Sequence, residues 1–239
     1  VRRCGQLVQR LQRRHKHRQR RLGRILLPRP RVRQLRLEAG RRRVFAVALD
    51  YLATIEAPGL AARAAAVYDG ADNMTDRMAA LDALRDLNVP ERQRVLDDFA
   101  QTWADYPLVM DKWLRLQATT RRDDSVERVR ELLADARFDF TNPNRIRALL
   151  GGFVRGNRVG FHRADGAGYA LIADEILRLD SLNPQLAAAL AGMLTNWARH
   201  VPVQADGMRA ALARIAEAEL SDNTREIVAA GLEQSNVAA

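Results

Sequence analysis

The sequence of 239 residues contains a single cysteine, Cys4, which excludes a disulfide scaffold and any zinc site built from several thiolates. No run approaches the ~20 apolar residues that a membrane-spanning helix needs. Aromatic residues make up only 5% of the chain, and no stretch alternates β-branched with polar residues as a half-buried strand would. Catalytic signatures are missing as well: the sequence has no H-E-x-x-H pair, no G-x-S-x-G elbow and no phosphate-binding P-loop. What is present is a hydrophobic content of 47% rich in alanine and leucine, enough for a sizeable core and weighted towards packed helices. The length permits one large domain or two small ones.

The formal net charge of +10 is unevenly placed. Residues 1–43 hold 17 Lys and Arg, of which only Lys16 is lysine, against one acid, Glu38. Residues 44–239 hold 22 basic and 28 acidic residues and are net negative. Self-repulsion, few large apolar groups and the interruptions at Pro28 and Pro30 predict that residues 1–43 are disordered. They include no 7–15-residue apolar stretch of the kind a secretory signal carries, and no serine, which a transit peptide would have. Two readings of this segment stand. Arginine with almost no lysine is the bias of a GC-rich gene read out of frame, which would make the segment non-native. Alternatively it is a basic arm that neutralises phosphates, without interleaved aromatics to stack on bases.

From Val44 onward the apolar spacing is helical, with short breaks rich in Pro, Gly, Asn and Asp. The clearest helix spans 143–156, where Ile146, Leu149, Leu150, Phe153 and Val154 form one stripe. Asn142 suits its N-cap, Pro143 its first turn and Gly156-Asn157 its exit. The same grammar opens a helix at Asn183-Pro184 that is expected to run to about Arg199. Asp124 and Glu127 resemble a capping box, and Ser221 can cap a last helix through Leu232. Further helices are expected at 44–54, 59–69, 74–87, 90–104, 107–118, 168–179 and 204–219. Successive pairs average roughly 40 residues, the length of a HEAT-like repeat. An all-α superhelical array of antiparallel helix pairs, HEAT/armadillo-like, is therefore the expected fold of residues 44–239.

Candidate chemistry is sparse. His162 and His200 each follow a helix end, where a capping or surface role is expected. The glycine-rich GGFVRGNRVG (151–160) lacks the preceding strand of a phosphate cradle and reads as a helix end followed by a turn. Asp97-Asp98, Asp123-Asp124 and Asp174-Glu175 are adjacent acids pointing about 100° apart on a helix, so solvated faces or caps are expected. Phe99, Trp103, Tyr106 and Trp113 read as core.

Three strings go further: ADNMTDRMAAL (71–81), PLVMDKWLRLQA (107–118) and FTNPNRIRALLGGFVRGNRVGFHRADGAGYALIADEILRLDSLNPQLAA (140–188). From about residue 40 to 233 the chain resembles the C-terminal helical domain of bacterial aminopeptidase N, the zinc-dependent alanyl aminopeptidase family; residues 1–43 have no counterpart in that resemblance. It implies a domain that caps the substrate chamber of an enzyme removing N-terminal residues from peptides. The family's zinc ligands and amine-binding motif lie in a separate catalytic domain and are absent here, so no catalytic residue, metal ligand or cofactor is expected in this chain, and alone it should be inactive.

The resemblance also implies chamber-lining positions. The arginine of the family's N-R/K-I/V-R-A-L string matches Arg147, and the glutamine of N-P-Q matches Gln185. A second family arginine falls on Ala189, a departure that alters the pocket's charge pattern. The implied partners are the catalytic domain of the same or a separately encoded chain and the peptide substrates, in the cytoplasm, with no membrane. Nucleic acid is not an expected partner under this reading. A helical interaction module with a basic nucleic-acid-binding arm is the alternative.

Overall fold

The computed structural model describes residues 29–234, and every regular element in that range is helical. Twelve α-helices follow one another: α1 (Arg29–Thr54), α2 (Leu60–Gly70), α3 (Met74–Leu84), α4 (Pro90–Thr102), α5 (Pro107–Ala118), α6 (Ser125–Ala134), α7 (Pro143–Gly156), α8 (Arg158–Phe161), α9 (Ala167–Asp180), α10 (Pro184–Ala191), α11 (Pro202–Ala216) and α12 (Asp222–Leu232). A single 3₁₀ turn, Trp197–Arg199, lies between α10 and α11. None of the described helices is long and apolar enough to cross a membrane.

The chain divides into two units, residues 1–47 and 48–239. Residues 29–43, expected to be disordered, instead form the first part of α1. Pro30 sits in the first turn, where its missing N–H costs nothing, and from Arg31 to Thr54 there is no further proline to stop the helix. The expectations for residues 1–28 lie outside the described residues.

The second unit is an array of helices packed one on the next. α2 packs on α3 and α4, α5 on α7, α9 on α10 and α11, and α12 on α10 and α11. Its core is aliphatic: Leu81, Leu84, Leu96, Leu132, Ile146, Leu149, Leu150, Ile172 and Ile176 are fully buried, with Phe99 and Phe153. The stripe on α7 is buried from Ile146 to Phe153, while Val154 at its edge is only half-buried.

Helix starts follow local chemistry. The Asn73, Asn142, Asn183 and Ser221 side chains accept from the backbone N–H groups of Asp76, Asn144, Leu186 and Thr224 respectively. Proline opens α4, α5, α7, α10 and α11. The capping box at α6 does not form: Asp124 makes no side-chain cap and pairs with Arg122 at 2.6 Å, while Glu127 pairs with Arg163 at 3.0 Å. Arginine competes for both carboxylates and wins because charge-assisted pairing is stronger than a neutral donor's hydrogen bond.

The expected helix over 184–199 also breaks. α10 ends at Ala191, and Thr195 Oγ1 donates back to the carbonyl of Gly192 at 2.9 Å. The chain then turns so that the Trp197 indole N–H reaches the Gly231 carbonyl on α12 at 2.8 Å. Burying that indole with its donor satisfied outweighs continuing the helix.

Polar links along the array have a repeating sequence separation. Thr120 Oγ1 donates to the Arg85 carbonyl across 35 residues, Asn157 Nδ2 to the Ala118 carbonyl across 39, and Arg163 to Glu127 across 36. Farther along, Arg214 reaches Asp174 across 40 and Ser221 reaches Asp180 across 41. A helical repeat of about 40 residues, each stacked on the last, produces that period. The chemistry of the individual links differs, which is why no consensus repeat is visible in the letters.

Candidate substrate-facing surface

The two arginines of the NRIR string point opposite ways. Arg145 is buried, and its Nη1 donates to Asp111 at 2.7 Å and to the Pro107 carbonyl at 3.0 Å. This ion pair locks the first turn of α7 onto the start of α5. It couples VMDKW to NRIR, two of the strings that carry the family resemblance. Arg147, two residues on, lies about 200° round the helix and is exposed. Among the described residues it has no carboxylate within ion-pair distance. Sequence reasoning selected Arg147 and passed over Arg145; the signal that was there is that Arg145 directly precedes the stripe residue Ile146.

Gln185 occupies the first turn of α10 and is exposed, as is Ala189 one turn later on the same face. Asn183 caps this helix, and the Pro184 carbonyl accepts from Thr224 Oγ1 at 3.5 Å. The neighbouring end of α9 is fixed more firmly. Asp180 is buried and accepts from the Ser221 N–H and hydroxyl, both at 2.6 Å, and from Thr224 Oγ1 at 2.5 Å. Burial opposes its ionisation, but the hydrogen bonds from Ser221 and Thr224 prevail and hold its carboxyl below the usual range. Arg147 and Gln185 are thus presented on well-anchored elements. They are not carried by one packed pair, since α7's main partner is α5 and those of α10 are α9 and α12.

His162 and His200, far apart in sequence, meet. Their rings lie 4.9 Å apart between centroids at a tilt of 38°. His162 Nδ1 shares a 2.7 Å hydrogen bond with the Tyr169 hydroxyl, and His200 Nδ1 one of 3.1 Å with Gln204 Oε1. Tyr169 is buried, which pushes its hydroxyl up to about 12. Burial, with smaller contributions from His200 and Arg158, lowers the pKa of His162. The cluster ties the end of α8 to α9 and α11. Both histidines occupy the C-cap position expected of them, His162 after α8 with its backbone N–H on the Arg158 carbonyl and His200 after the 3₁₀ turn with its N–H on the Trp197 carbonyl.

The glycine-rich stretch makes close contacts rather than a cradle. A Cβ on Gly160 would collide with Ser125 Oγ, and one on Gly168 with the carbonyl oxygens of Gly160 and Phe161. Asn157, fully buried, then caps α8 through the Gly160 N–H. The adjacent acids part company as expected of non-dyads. Asp98 accepts from Tyr68 and Asp97 from Gln93. Asp174 pairs with Arg214, while Glu175 is held up by burial. Phe99 and Trp113 are core, with the Trp113 N–H on the Leu96 carbonyl. Trp103 is half-buried and Tyr106 exposed. Among the described residues no three His, Cys, Asp or Glu side chains converge as a metal site would require.

Stacked helices with a period near 40 residues define the class: an all-α repeat array of the armadillo type. Residues 2–233 match the family described as "Domain of unknown function (DUF3458_C) ARM repeats", and the chain belongs to it. It is similar to aminopeptidase N of Caulobacter vibrioides, 41% identical over 166 residues, covering 69% of this chain and 19% of that protein. Aminopeptidase N of Haemophilus influenzae is 42% identical over 153 residues, covering 64% and 18%. That of Escherichia coli is 39% identical over 148 residues, covering 62% and 17%. Among solved structures, Legionella pneumophila aminopeptidase A in complex with aspartic acid superposes with a TM-score of 0.78 at 33% identity, covering 82% of this chain and 23% of that one. The chain therefore spans under a fifth of the length of these curated relatives, and the matched part is their C-terminal one. The resemblance to the C-terminal helical domain of bacterial aminopeptidase N is borne out.

Proposed function

We propose that this chain acts as the C-terminal domain of a zinc-dependent aminopeptidase that removes N-terminal residues from peptides in the cytoplasm. In this reading it caps the substrate chamber and leaves bond cleavage to a catalytic domain, on the same chain or a separate one. The observation that carries the reading is the 39–42% identity to aminopeptidase N over its C-terminal part. The exposure of Arg147 and Gln185 is consistent with it. A guanidinium with no carboxylate partner among the described residues can hold a peptide's terminal carboxylate by paired hydrogen bonds. Gln185 offers both a donor and an acceptor to the peptide backbone. With Ala189 in place of the family's arginine, that binding would rest on one cation.

Zinc, as the Lewis acid of such a reaction, belongs to the catalytic domain. The residues of this chain do not fit it, for the sequence has no H-E-x-x-H and no convergent ligand set among its described residues, and no step of the reaction is assigned to them. The test is to purify the full chain and measure both its zinc content and its hydrolysis of an alanine chromogenic amide. The expected result is no stoichiometric zinc and no turnover. Bound zinc with robust turnover would overturn the assignment.

A further inference from the structure

Within the second unit, one face runs against the average charge. Residues 48–239 hold 22 basic and 28 acidic side chains, and many of the arginines are tied to carboxylates, as Arg94 is to Asp69 and Arg214 to Asp174. The packed pair α5 and α7 is the exception. Together these helices carry five cations, Lys112, Arg115, Arg145, Arg147 and Arg155, and a single acid, Asp111, which Arg145 occupies at 2.7 Å. The other four cations are all exposed, and none has a carboxylate within ion-pair distance among the described residues. All four lie within the second unit.

Helix geometry and two glycines bring them together. Arg147, Gly151 and Arg155 recur at intervals of four and form one row on α7, away from the buried Ile146 and Phe153. Side chains on a helix lean towards its N-terminus, and Arg155 does so: its Nη1 lies 3.9 Å from the point that a Cβ on Gly151 would occupy. Glycine there leaves room for the Arg155 side chain to lie back towards Arg147. A Cβ on Gly152 would stand 3.4 Å from Arg115 Cγ, so the second glycine brings α5 close and sets Arg115 beside the row. Lys112 precedes Arg115 by about one turn on α5. Like charges gathered on one face of a net-negative unit, with no acid among them left to pair, mark a surface for an anion.

Spacing narrows which anion. At 1.5 Å rise, Arg147 and Arg155 are about 12 Å apart along α7. Side chains on one side of an extended peptide recur every ~6.7 Å, so acids at alternate positions span the row within about five residues. Arginine forks hold carboxylates by paired hydrogen bonds. Nucleic acid fits less well, because the aromatic rings of the two helices, Trp113 and Phe153, are buried and offer no platform for base stacking. We infer that the α5–α7 face binds extended acidic peptide segments, with carboxylates at alternate positions, through Arg147, Arg155, Arg115 and Lys112. This goes beyond the chamber-capping reading and does not rest on it, since binding is measured without cleavage.

The test is fluorescence anisotropy with the full chain at physiological salt and a labelled peptide, G-E-S-E-S-E-G, with blocked ends. The comparisons are its glutamine counterpart, its isomer with the glutamates adjacent, and a thymidylate oligonucleotide of equal charge. Residues 1–43 attract any of these anions by charge alone, so spacing and variants decide. The alternating peptide should bind more tightly than its isomer, and the glutamine peptide not at all. Arg115→Gln/Arg155→Gln and Lys112→Gln/Arg147→Gln should each lose about tenfold of that affinity with an unchanged thermal unfolding midpoint. The control Arg63→Gln/Arg130→Gln removes the same charge from exposed positions elsewhere and should lose less than about twofold. An equal loss in all three double variants would overturn the proposal, because net charge alone then accounts for binding. So would no binding, equal binding of the two isomers or of the glutamine peptide, or no loss in either α5–α7 variant. An oligonucleotide that binds as tightly and is lost in the same variants would assign the face to nucleic acid instead.

Discussion

Helices α1 and α7 are built from similar letters and end up in opposite situations. α7 buries eight of its fourteen residues, including two glycines and an arginine. In α1, twenty-six residues long, Leu49 is the one core residue among those whose side chains are described. α7's apolar residues recur at three and four and its polar ends are capped, so tertiary packing dominates its stability. α1 alternates arginine with aliphatic residues and has no acid in its first turn, so its helix rests largely on propensity. Helix formation and core formation are separate outcomes: periodicity reported both for α7, but for α1 it reported a helix only from residue 44 onward.

Substitutions can sharpen that contrast. Phe153→Ala removes a fully buried ring and should cost about 3–5 kcal/mol in urea unfolding. Tyr51→Ala on α1 should change stability by no more than about 0.5 kcal/mol in the same assay. A comparable loss at Tyr51 would mean that its side chain is covered in the folded chain. Next, Arg145→Ala leaves Asp111 without its partner at a poorly hydrated site and should cost about 3 kcal/mol, against about 0.5 kcal/mol or less for Arg147→Ala. If the two arginines proved equivalent, the inward–outward division of the NRIR string would be wrong.

A smaller loss, about 1–3 kcal/mol, is expected for Gly168→Ala. Its Cβ would meet the backbone of Gly160 and Phe161, which cannot rotate away. Gly166→Ala also costs stability, but by strain at a φ of 74° rather than by collision. The smallest effect concerns pH. The pKa of His162 is lowered in the fold, so its contribution is complete above the unfolded value of about 6.5 and declines as pH falls below it, because the unfolded chain then binds the proton more readily. Thermal unfolding between pH 7.5 and 5 should show this decline, and His162→Gln should flatten it. An unchanged slope would remove His162 as its source.

Much of the fold was legible because helix punctuation is local. Asn142-Pro143 and Asn183-Pro184 mark their helix starts within three residues of chain. The missed features depend on partners elsewhere. The turn after Ala191 exists because Trp197 finds the Gly231 carbonyl 34 residues away. Asp124 and Glu127 leave the cap for arginines, one of which arrives from 36 residues downstream. The meeting of His162 and His200 follows from stacking of successive repeats, and the burial of Arg145 follows from Asp111. Arg147 and Gln185 were found through family resemblance, since an exposed polar residue on a helix has no local signature.

The role of Arg147 admits one direct measurement. A chimera carrying this chain in place of the matched C-terminal part of Escherichia coli aminopeptidase N would be assayed on a dipeptide with a free carboxylate and on its amide. Losing a charge-assisted pair to the carboxylate is worth about tenfold in KM. Arg147→Ala should therefore raise KM for the dipeptide by about that factor and leave the amide within about twofold. Unchanged KM for both substrates, or an equal rise in both, would contradict a chamber-facing Arg147 that binds the peptide carboxylate.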